Sequence, residues 1–272
     1  MSKQDTRLKN LHSMNWDERR NVAKNPSATA KALMLLATDE DWRVRWAVAE
    51  NTNTPAEVLM KLARDKNPDV RVGVATTQNA SAELLAKLAT DEYLDVRLAV
   101  AGNANTSAET LTKLATDEDW VVHEAVAGNP NAPADVLNGL AEDKYIYVRK
   151  AVAVNPRTPV ETLSKLATDE DWEIRQSVAK NKNSPIDALN RLATDKEWRV
   201  RWDVAENSSA PGEVLDRLAG DENLNVRWAV ARNPKITPEA IELLCFSEDT
   251  KIRQTLSKNP AVPEHIRVGL SL

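Results

Sequence analysis

The chain has 272 residues, 42% of them hydrophobic, with 36 Lys and Arg against 41 Asp and Glu and a formal net charge of −5. The charges are mixed along the whole length, which excludes a basic block for phosphates or anionic lipid, and no apolar run approaches the ~18 residues of a membrane span. A single Cys excludes an intrachain disulfide framework, 7 Gly argue against a glycine-rich β-solenoid, and MSKQDTRLKN carries no signal-peptide core.

The dominant pattern is a 26-residue repeat running about ten times in one frame. Its mark is an Asn closing a string of the type Val-Ala-x-Asn, at Asn25, Asn51, Asn103, Asn129, Asn155, Asn181, Asn207, Asn233 and Asn259, with Thr77 as the one break. A fixed period of this size signals a stacked, quasi-one-dimensional protein. In chain order, Leu8 and Leu11 suggest a degenerate capping helix, and Trp16 to Lys24 reads as the first full second helix of a repeat. Each later repeat then reads as two helices.

The first helix opens on strings such as Thr54-Pro55-Ala56-Glu57 and Thr158-Pro159-Val160-Glu161. There the hydroxyl and the Glu are expected to form a capping box around Pro at the first helical position. It buries Leu59, Leu62 and Ala63, at spacings of three and four. An Asp (Asp39, Asp65, Asp91, Asp117, Asp143, Asp169, Asp195, Asp221) stands where the second helix begins, suited to cap N–H groups. The second helix carries Val44, Ala47, Val48 and their equivalents, and ends at the Asn, which tolerates the left-handed conformation common past helix ends. Helices of about ten residues are unstable alone, so stacking must hold them. The chain ends on a lone first helix, roughly 263 to 270.

The expected fold is therefore all-α: a right-handed α-α superhelix, or solenoid, of about ten two-helix repeats. One domain spans residues 1–272, with a capping segment 1–13, repeats 14–262 and a half-repeat 263–272. The string Asp-x4-Val-Arg-x2-Ala-Val-Ala, as at Asp39, Val44, Arg45 and Ala47, resembles HEAT repeats. The fuller pattern VRxAVAxNPxTPxExLxxLAxD is similar to the bacterial leucine-rich-repeat variant family, also right-handed helical solenoids. That family's repeat is usually shorter than 26, which implies that both helices here are α rather than one being 3₁₀. One member holds an iron–sulfur cluster on clustered cysteines; with only Cys245 here, in place of a buried Ala, no cluster carries over. Both families imply macromolecular binding.

A helical wheel separates scaffold from surface. The recurrent Arg (Arg19, Arg45, Arg71, Arg97, Arg149, Arg175, Arg201, Arg227, Arg253, with His123 as exception) lies on the flank. Six residues place it 120° and ~9 Å from its own Asp, so it should reach the Asp of an adjacent repeat in a charge ladder; the alternative is a basic stripe for phosphates. Trp16, Trp42, Trp120, Trp172 and Trp198 share a position suited to packing between repeats. Trp46, Trp202 and Trp228 lie opposite the core, where other repeats carry Val72, Leu98, Glu124, Lys150 and Gln176, the scatter of solvent-facing sites. The alternative there is cover by long neighbours.

Two further variable rows, one through Arg43, Tyr147 and Arg199 and one through Glu50, Gly102, Gly128, Glu206 and Arg232, complete a ridge on the expected concave side. Exposed Trp beside Arg is favoured at binding hot spots. The candidate binding residues are thus Arg199, Trp202, Glu206, Trp228 and Arg232, with a second copy at Arg43, Trp46 and Glu50, and Tyr147 on the same ridge. On the first helices, Glu57, Glu83, Glu109 and Glu161 stand four residues before Lys61, Lys87, Lys113 and Lys165, the order of solvated ion pairs.

No catalytic constellation, metal motif or cofactor loop is present, and His12, His123 and His265 fall in separate repeats. The expectation is a non-enzymatic, cytoplasmic, monomeric bacterial scaffold that binds a protein or extended peptide, with no membrane and no cofactor. The alternatives are a nucleic-acid-binding HEAT-like protein of the DNA-glycosylase kind, or a regular scaffold with no dedicated ligand.

Overall fold

A computed structural model of the chain describes residues 11–270; the capping role expected of Leu8 and the final residues 271–272 lie outside them. The chain forms two compact units, Met1–Val136 and Leu137–Leu272. In the first, a 3₁₀ turn at Leu11–Ser13 precedes nine-residue helices Trp16–Lys24, Trp42–Glu50, Pro68–Thr76, Leu94–Gly102 and Trp120–Gly128. These alternate with seven-residue helices Ala30–Leu36, Ala56–Leu62, Ala82–Leu88 and Ala108–Leu114. In the second, nine-residue helices Ile146–Val154, Trp172–Lys180, Trp198–Glu206, Leu224–Arg232 and Thr250–Lys258 alternate with Val160–Leu166, Ile186–Leu192, Gly212–Ala219 and Pro238–Cys245, and Glu264–Gly269 follows. The described residues contain no strand. Each unit is an all-α solenoid of two-helix repeats, and both helices of the repeat are α.

Apolar spacing explains the stacking. Val44, Ala47 and Val48, like Val200 and Val204, are completely buried, as are Leu59 and Leu62, or Leu189 and Leu192. Full burial of such a side chain stabilises by roughly 1.5–3 kcal/mol, which offsets the cost of forming helices of two turns. The seven-residue helices also bury the residue before the first Leu, as at Val58, Leu84 and Ala188, so their apolar face is wider than the spacing of three and four implied. Within each unit the nine-residue helices pack directly on one another, more closely than the seven-residue helices do. That difference puts the nine-residue helices on the inner side of the curve.

The expected capping box is not what forms at the Thr-Pro starts. Pro55 and Pro159 occupy the N-cap position without a side-chain bond. Thr54 instead donates its hydroxyl to the Val48 carbonyl at 2.5 Å, and Thr106, Thr158 and Ser184 do the same six residues back at 2.6 Å. The hydroxyl thus closes the end of the preceding helix, where carbonyls lack partners. Side-chain caps appear where Thr29, Ser81, Ser107 or Thr237 replaces that Pro. At the nine-residue helices the cap is not the repeat's Asp but the residue two later, such as Asp41, Asn67, Asp171 or Asn223.

The Asn is not left-handed. Asn51 sits at φ −73°, ψ 125°, and the described residues include no positive φ. Its side chain is buried and crosses to the preceding repeat, where Nδ2 donates to the carbonyls of Ala23 at 2.6 Å and Asn25 at 2.9 Å. Its Oδ1 accepts from the Asn53 N–H at 2.9 Å. Asn103 and Asn129 repeat the arrangement in the first unit, and Asn181, Asn207, Asn233 and Asn259 in the second. An extended backbone is what aims the amide at its neighbour.

The Arg–Asp ladder forms as expected within each unit. Arg45 grips Asp65 of the next repeat with Nε and Nη2 at 2.6 and 2.8 Å, while its Nη1 donates to the carbonyl of its own Asp39 at 2.7 Å. Arg19–Asp39, Arg71–Asp91 and Arg97–Asp117 follow in the first unit, and Arg149–Asp169, Arg175–Asp195 and Arg201–Asp221 in the second. Burial alone would push Asp65, Asp91, Asp117 and Asp195 up, but the bonds from Arg and from the backbone N–H two residues on outweigh it, and these carboxyls lie below their ordinary range.

Two predictions follow from these ladders. Thr77 is buried and brings no amide N–H to the carbonyls of the repeat before it, so Thr77→Asn should stabilise the first unit by about 1–2 kcal/mol in urea unfolding. Asn207→Ala should cost the second unit about 1–3 kcal/mol, because buried carbonyls lose their donor. Because the ladder carboxyls have lowered folded pKa values, their contribution is complete above the unfolded value near 3.9 and lost as pH falls through the folded one. Thermal unfolding from pH 6 to pH 2 should show a steep fall in Tm below about pH 4, shallower in Asp65→Asn.

Candidate functional site

The inner side of each unit is built from three positions of the nine-residue helix, those of Arg43, Trp46 and Glu50. In the first unit Arg43 is exposed, with its guanidinium 4.9 Å from the ring centre of Trp16 and 5.3 Å from that of Trp42. Arg199 does the same in the second unit, 5.7 Å from Trp172 and 4.9 Å from Trp198. The Trp of one repeat, the Arg and the Trp of the next thus form a stack along the flank, consistent with a packing role for these Trp.

Trp46, Trp202 and Trp228 are half-buried rather than solvent-facing. The close packing of nine-residue helices is the reason: the rings of Trp46 and Trp228 lie across onto the helix of the next repeat. A Cβ at Gly73 would stand 2.9 Å from Trp46 Cδ1 and 3.2 Å from the Ala49 Cβ, so Trp46 occupies the space that an Ala would fill. Trp228 donates its Nε1 hydrogen to Thr255 Oγ1 at 2.9 Å. Cations cover both Trp rings: Lys24 lies 4.9 Å from the centre of Trp46, and Arg232 and Lys251 lie 4.6 and 4.3 Å from that of Trp228. Such contacts are worth ~0.5–1 kcal/mol at exposed sites.

The structure therefore brings together Glu206, Trp228 and Arg232, the last two by stacking and Glu206–Arg232 by an ion pair of 3.1 Å. Arg199 is turned to Trp172 and Trp198, and Trp202 is half-buried in the Trp row. In the first unit Glu50 is pushed up by burial, against the opposing charges of Lys24 and Arg20. Tyr147 is 56% exposed on the second unit's ridge. Gly102 and Gly128 have open space around an added Cβ, as room for a bulky group requires. On the outer helices, Lys87 and Lys113 pair with Glu83 and Glu109 at 2.7 and 2.8 Å, whereas Lys165 pairs with Glu142. Cys245 is only half-buried, its thiol donating to the Glu242 carbonyl at 3.1 Å.

Lys24 and Thr255 were not singled out from sequence, and Gln176, Asp203 and Lys251 were not among the candidate binding residues, yet a signal existed. The column of Ala47 departs from Ala at Asn21, Gly73, Ser177, Asp203 and Thr255, and Gly73, Asp203 and Thr255 meet the residue 27 positions earlier: Trp46, Gln176 and Trp228. Asp203 is the demanding case. It is 4% exposed, its Oδ2 has no hydrogen-bond partner, and Lys180 stands 3.5 Å away. Burial raises its carboxyl above the ordinary range, against the bond from Gln176 and the charge of Lys180.

Among the described residues no helix is long and apolar enough to cross a membrane. Fold and site together define a helical repeat protein whose recurring frame presents a non-repeating inner row. The model of the leucine rich repeat variant family matches residues 42–67, 94–119 and 148–171. A solved leucine-rich repeat variant, described as having a novel repetitive structural motif, is 30% identical, covering 78% of this chain and 85% of its own, at a TM-score of 0.59. The chain belongs to the leucine-rich repeat variant family. An engineered protein is similar at 19% identity over 96% of this chain and 98% of its own, with a TM-score of 0.44. Kap95p, solved with RanGDP, is similar at 12% identity over 94% of this chain and 44% of its own, with a TM-score of 0.47. No curated protein matches the chain.

Replacing Asp203 by the column's usual Ala should stabilise the second unit at pH 7 by on the order of 1 kcal/mol, since a buried unsatisfied group is removed. A raised carboxyl destabilises as pH climbs from the unfolded value through the folded one. The gain of Asp203→Ala in thermal unfolding should therefore shrink as pH is lowered toward 4.

Proposed function

We propose that the chain is a non-catalytic scaffold that binds a protein or extended peptide along the inner row of nine-residue helices. One observation carries the reading: on a frame that repeats every 26 residues, the exposed inner positions do not repeat. In the first unit Arg43, Asp69 and Asp95 occupy one row and Glu50, Thr76 and Gly102 another; in the second, Tyr147, Arg199 and Lys251 hold the first position and Val154, Lys180 and Arg232 the other. Scaffold positions are selected for sameness, whereas recognition needs difference. The half-buried Trp46, Trp202 and Trp228 then serve as the floor, with cations over Trp46 and Trp228, and Tyr147, Arg199, Glu206 and Arg232 as the polar rim.

Acidic groups interrupt the row, which disfavours a nucleic acid. Lys150 is held by Glu173 at 2.7 Å and Arg232 by Glu206 at 3.1 Å, so these cations are already neutralised, unlike those of a phosphate-binding groove.

The test is affinity capture from a native lysate, identification of the recovered partner, and titration of that partner by Trp fluorescence. The Tyr147→Ser/Arg199→Glu double variant, both positions exposed, should keep the wild-type circular dichroism and lose about ten-fold or more in affinity. Unchanged affinity would remove the inner row from the interface. A tight complex with duplex DNA that weakens steeply with salt would replace this reading by the nucleic-acid one.

A further inference from the structure

The Arg–Asp ladder contains one internal position where the carboxylate is missing, and it lies on the flank of the second unit, apart from the inner row. Arg201 shows the complete arrangement: Nε and Nη2 hold Asp221 at 2.6 and 2.9 Å, and Nη1 is anchored on the Asp195 carbonyl at 2.7 Å. One repeat on, Arg227 is anchored in the same way, its Nη1 donating to the carbonyls of Asp221 and, at 3.4 Å, Glu222. The residue that should bring its carboxylate, twenty positions later, is Ser247. Ser247 keeps the other duty of the ladder Asp, since its Oγ accepts the Asp249 N–H at 3.3 Å as Asp221 Oδ1 accepts that of Asn223 at 2.8 Å. Its shorter, neutral side chain makes no bond to the Arg227 guanidinium. Among the described residues, Nε and Nη2 of Arg227 have no hydrogen-bonded or ionic partner.

Arg227 also lines a cleft of about 750 Å³, together with Gly220, Glu222, Leu224, Leu243 and Ser247. Leu224 and Leu243 are 47% and 54% exposed, and Phe246, immediately before Ser247, is 82% exposed. Three carboxylates, Glu222, Glu248 and Asp249, rim the same cleft.

We propose that this cleft is a docking site for a single carboxylate flanked by apolar side chains, as on an acidic residue of a peptide or protein segment. The guanidinium fork is already held in the orientation in which its counterparts grip Asp, and a planar two-pronged donor matches a carboxylate in both prongs. The apolar surface beside it takes the flanking side chains. The three rim carboxylates repel every anion, a phosphate or an acidic run with its greater charge more than a single carboxylate, so selection for the single carboxylate rests on the match to the fork and on the apolar contacts. The site is independent of the inner row, and neither needs the other.

The experiment follows the Arg227 Nε–Hε resonance by ¹H–¹⁵N correlation, assigned through Arg227→Lys, in the full chain. The probes are N-acetyl-Leu-Asp-Leu-amide, its Asn counterpart, sodium acetate and sodium phosphate. The expected result is a saturable shift with the Asp peptide, at a concentration about ten-fold or more below that needed with acetate, and none with the Asn peptide. Ser247→Asp fills the fork from within; it should keep or raise the Tm and abolish the shift. Should that variant not fold, Arg227→Lys, which keeps the charge without the fork, must weaken binding of the Asp peptide, read from neighbouring amide resonances. No shift with the Asp peptide, a shift persisting in Ser247→Asp, unchanged binding to Arg227→Lys, equal response to acetate, or preference for phosphate would each overturn the proposal. Tyr147→Ser/Arg199→Glu should leave the response untouched, so that failure here and failure of the inner-row reading are separately visible.

Discussion

A nine-residue α-helix leaves its last four carbonyls without intrahelical donors, and this chain makes such an end in every repeat. Burial of those ends between stacked repeats is tolerated only because partners arrive from elsewhere in the chain. The Thr54-type hydroxyl closes one carbonyl from the loop that follows, and the Asn51-type amide supplies two bonds from the next repeat. The Asn is thus the residue that converts a local necessity, ending a helix, into contact between neighbours. Helices too short to persist alone gain their partners and their packing in one step.

The Arg–Asp fork performs the corresponding task at the other end of the helix. Its Nη1 ties the guanidinium to the turn of its own repeat, and Nε with Nη2 reaches the next, so a single side chain spans two repeats. Both partners are nearly buried, at 8% and 9% side-chain exposure for Arg45 and Asp65. In that setting the pair serves register more than net stability, because desolvation consumes much of the attraction, while loss of either partner leaves a buried charge. Together the Asn and Arg contacts hold successive nine-residue helices in one relative setting. The inner row inherits it: Trp46 lies against Gly73 and Trp228 bonds Thr255, in each case the Ala47-type residue of the following repeat.

The informative positions are those where the repeat departs from its own rule. Thr77 drops the amide, Asp203 puts a carboxylate where an alkyl group belongs, and Ser247 withdraws the carboxylate that Arg227 is oriented to receive. Each leaves a specific group unsatisfied, a carbonyl, an Oδ2 or a guanidinium fork. In a repeat protein these groups stand out because neighbouring repeats show what the satisfied arrangement is. The departures also fall on different surfaces: Asp203 beside the inner row, Arg227 on the flank.

Much of the fold was legible in the sequence, because it depends on spacings within one repeat. The two helices, their core residues Leu59, Leu62, Val44 and Val48, the start at Trp16 and the reach of Arg45 to the next repeat's Asp all follow from the 3.6-residue period and the rise of a helix. The leucine-rich repeat variant resemblance was legible for the same reason, the recurrence of a motif in register. What the tertiary structure decided are the contacts at separations of 26 to 28 residues. Sequence gave no means to tell that Asn51 is extended with its amide in the previous repeat, or that Trp46 and Trp228 lie down on the following helix. Those outcomes depend on how far one repeat is rotated and displaced against the next. That setting arises from the packing of Val, Ala and Leu side chains between repeats, and no pattern within a single repeat encodes it.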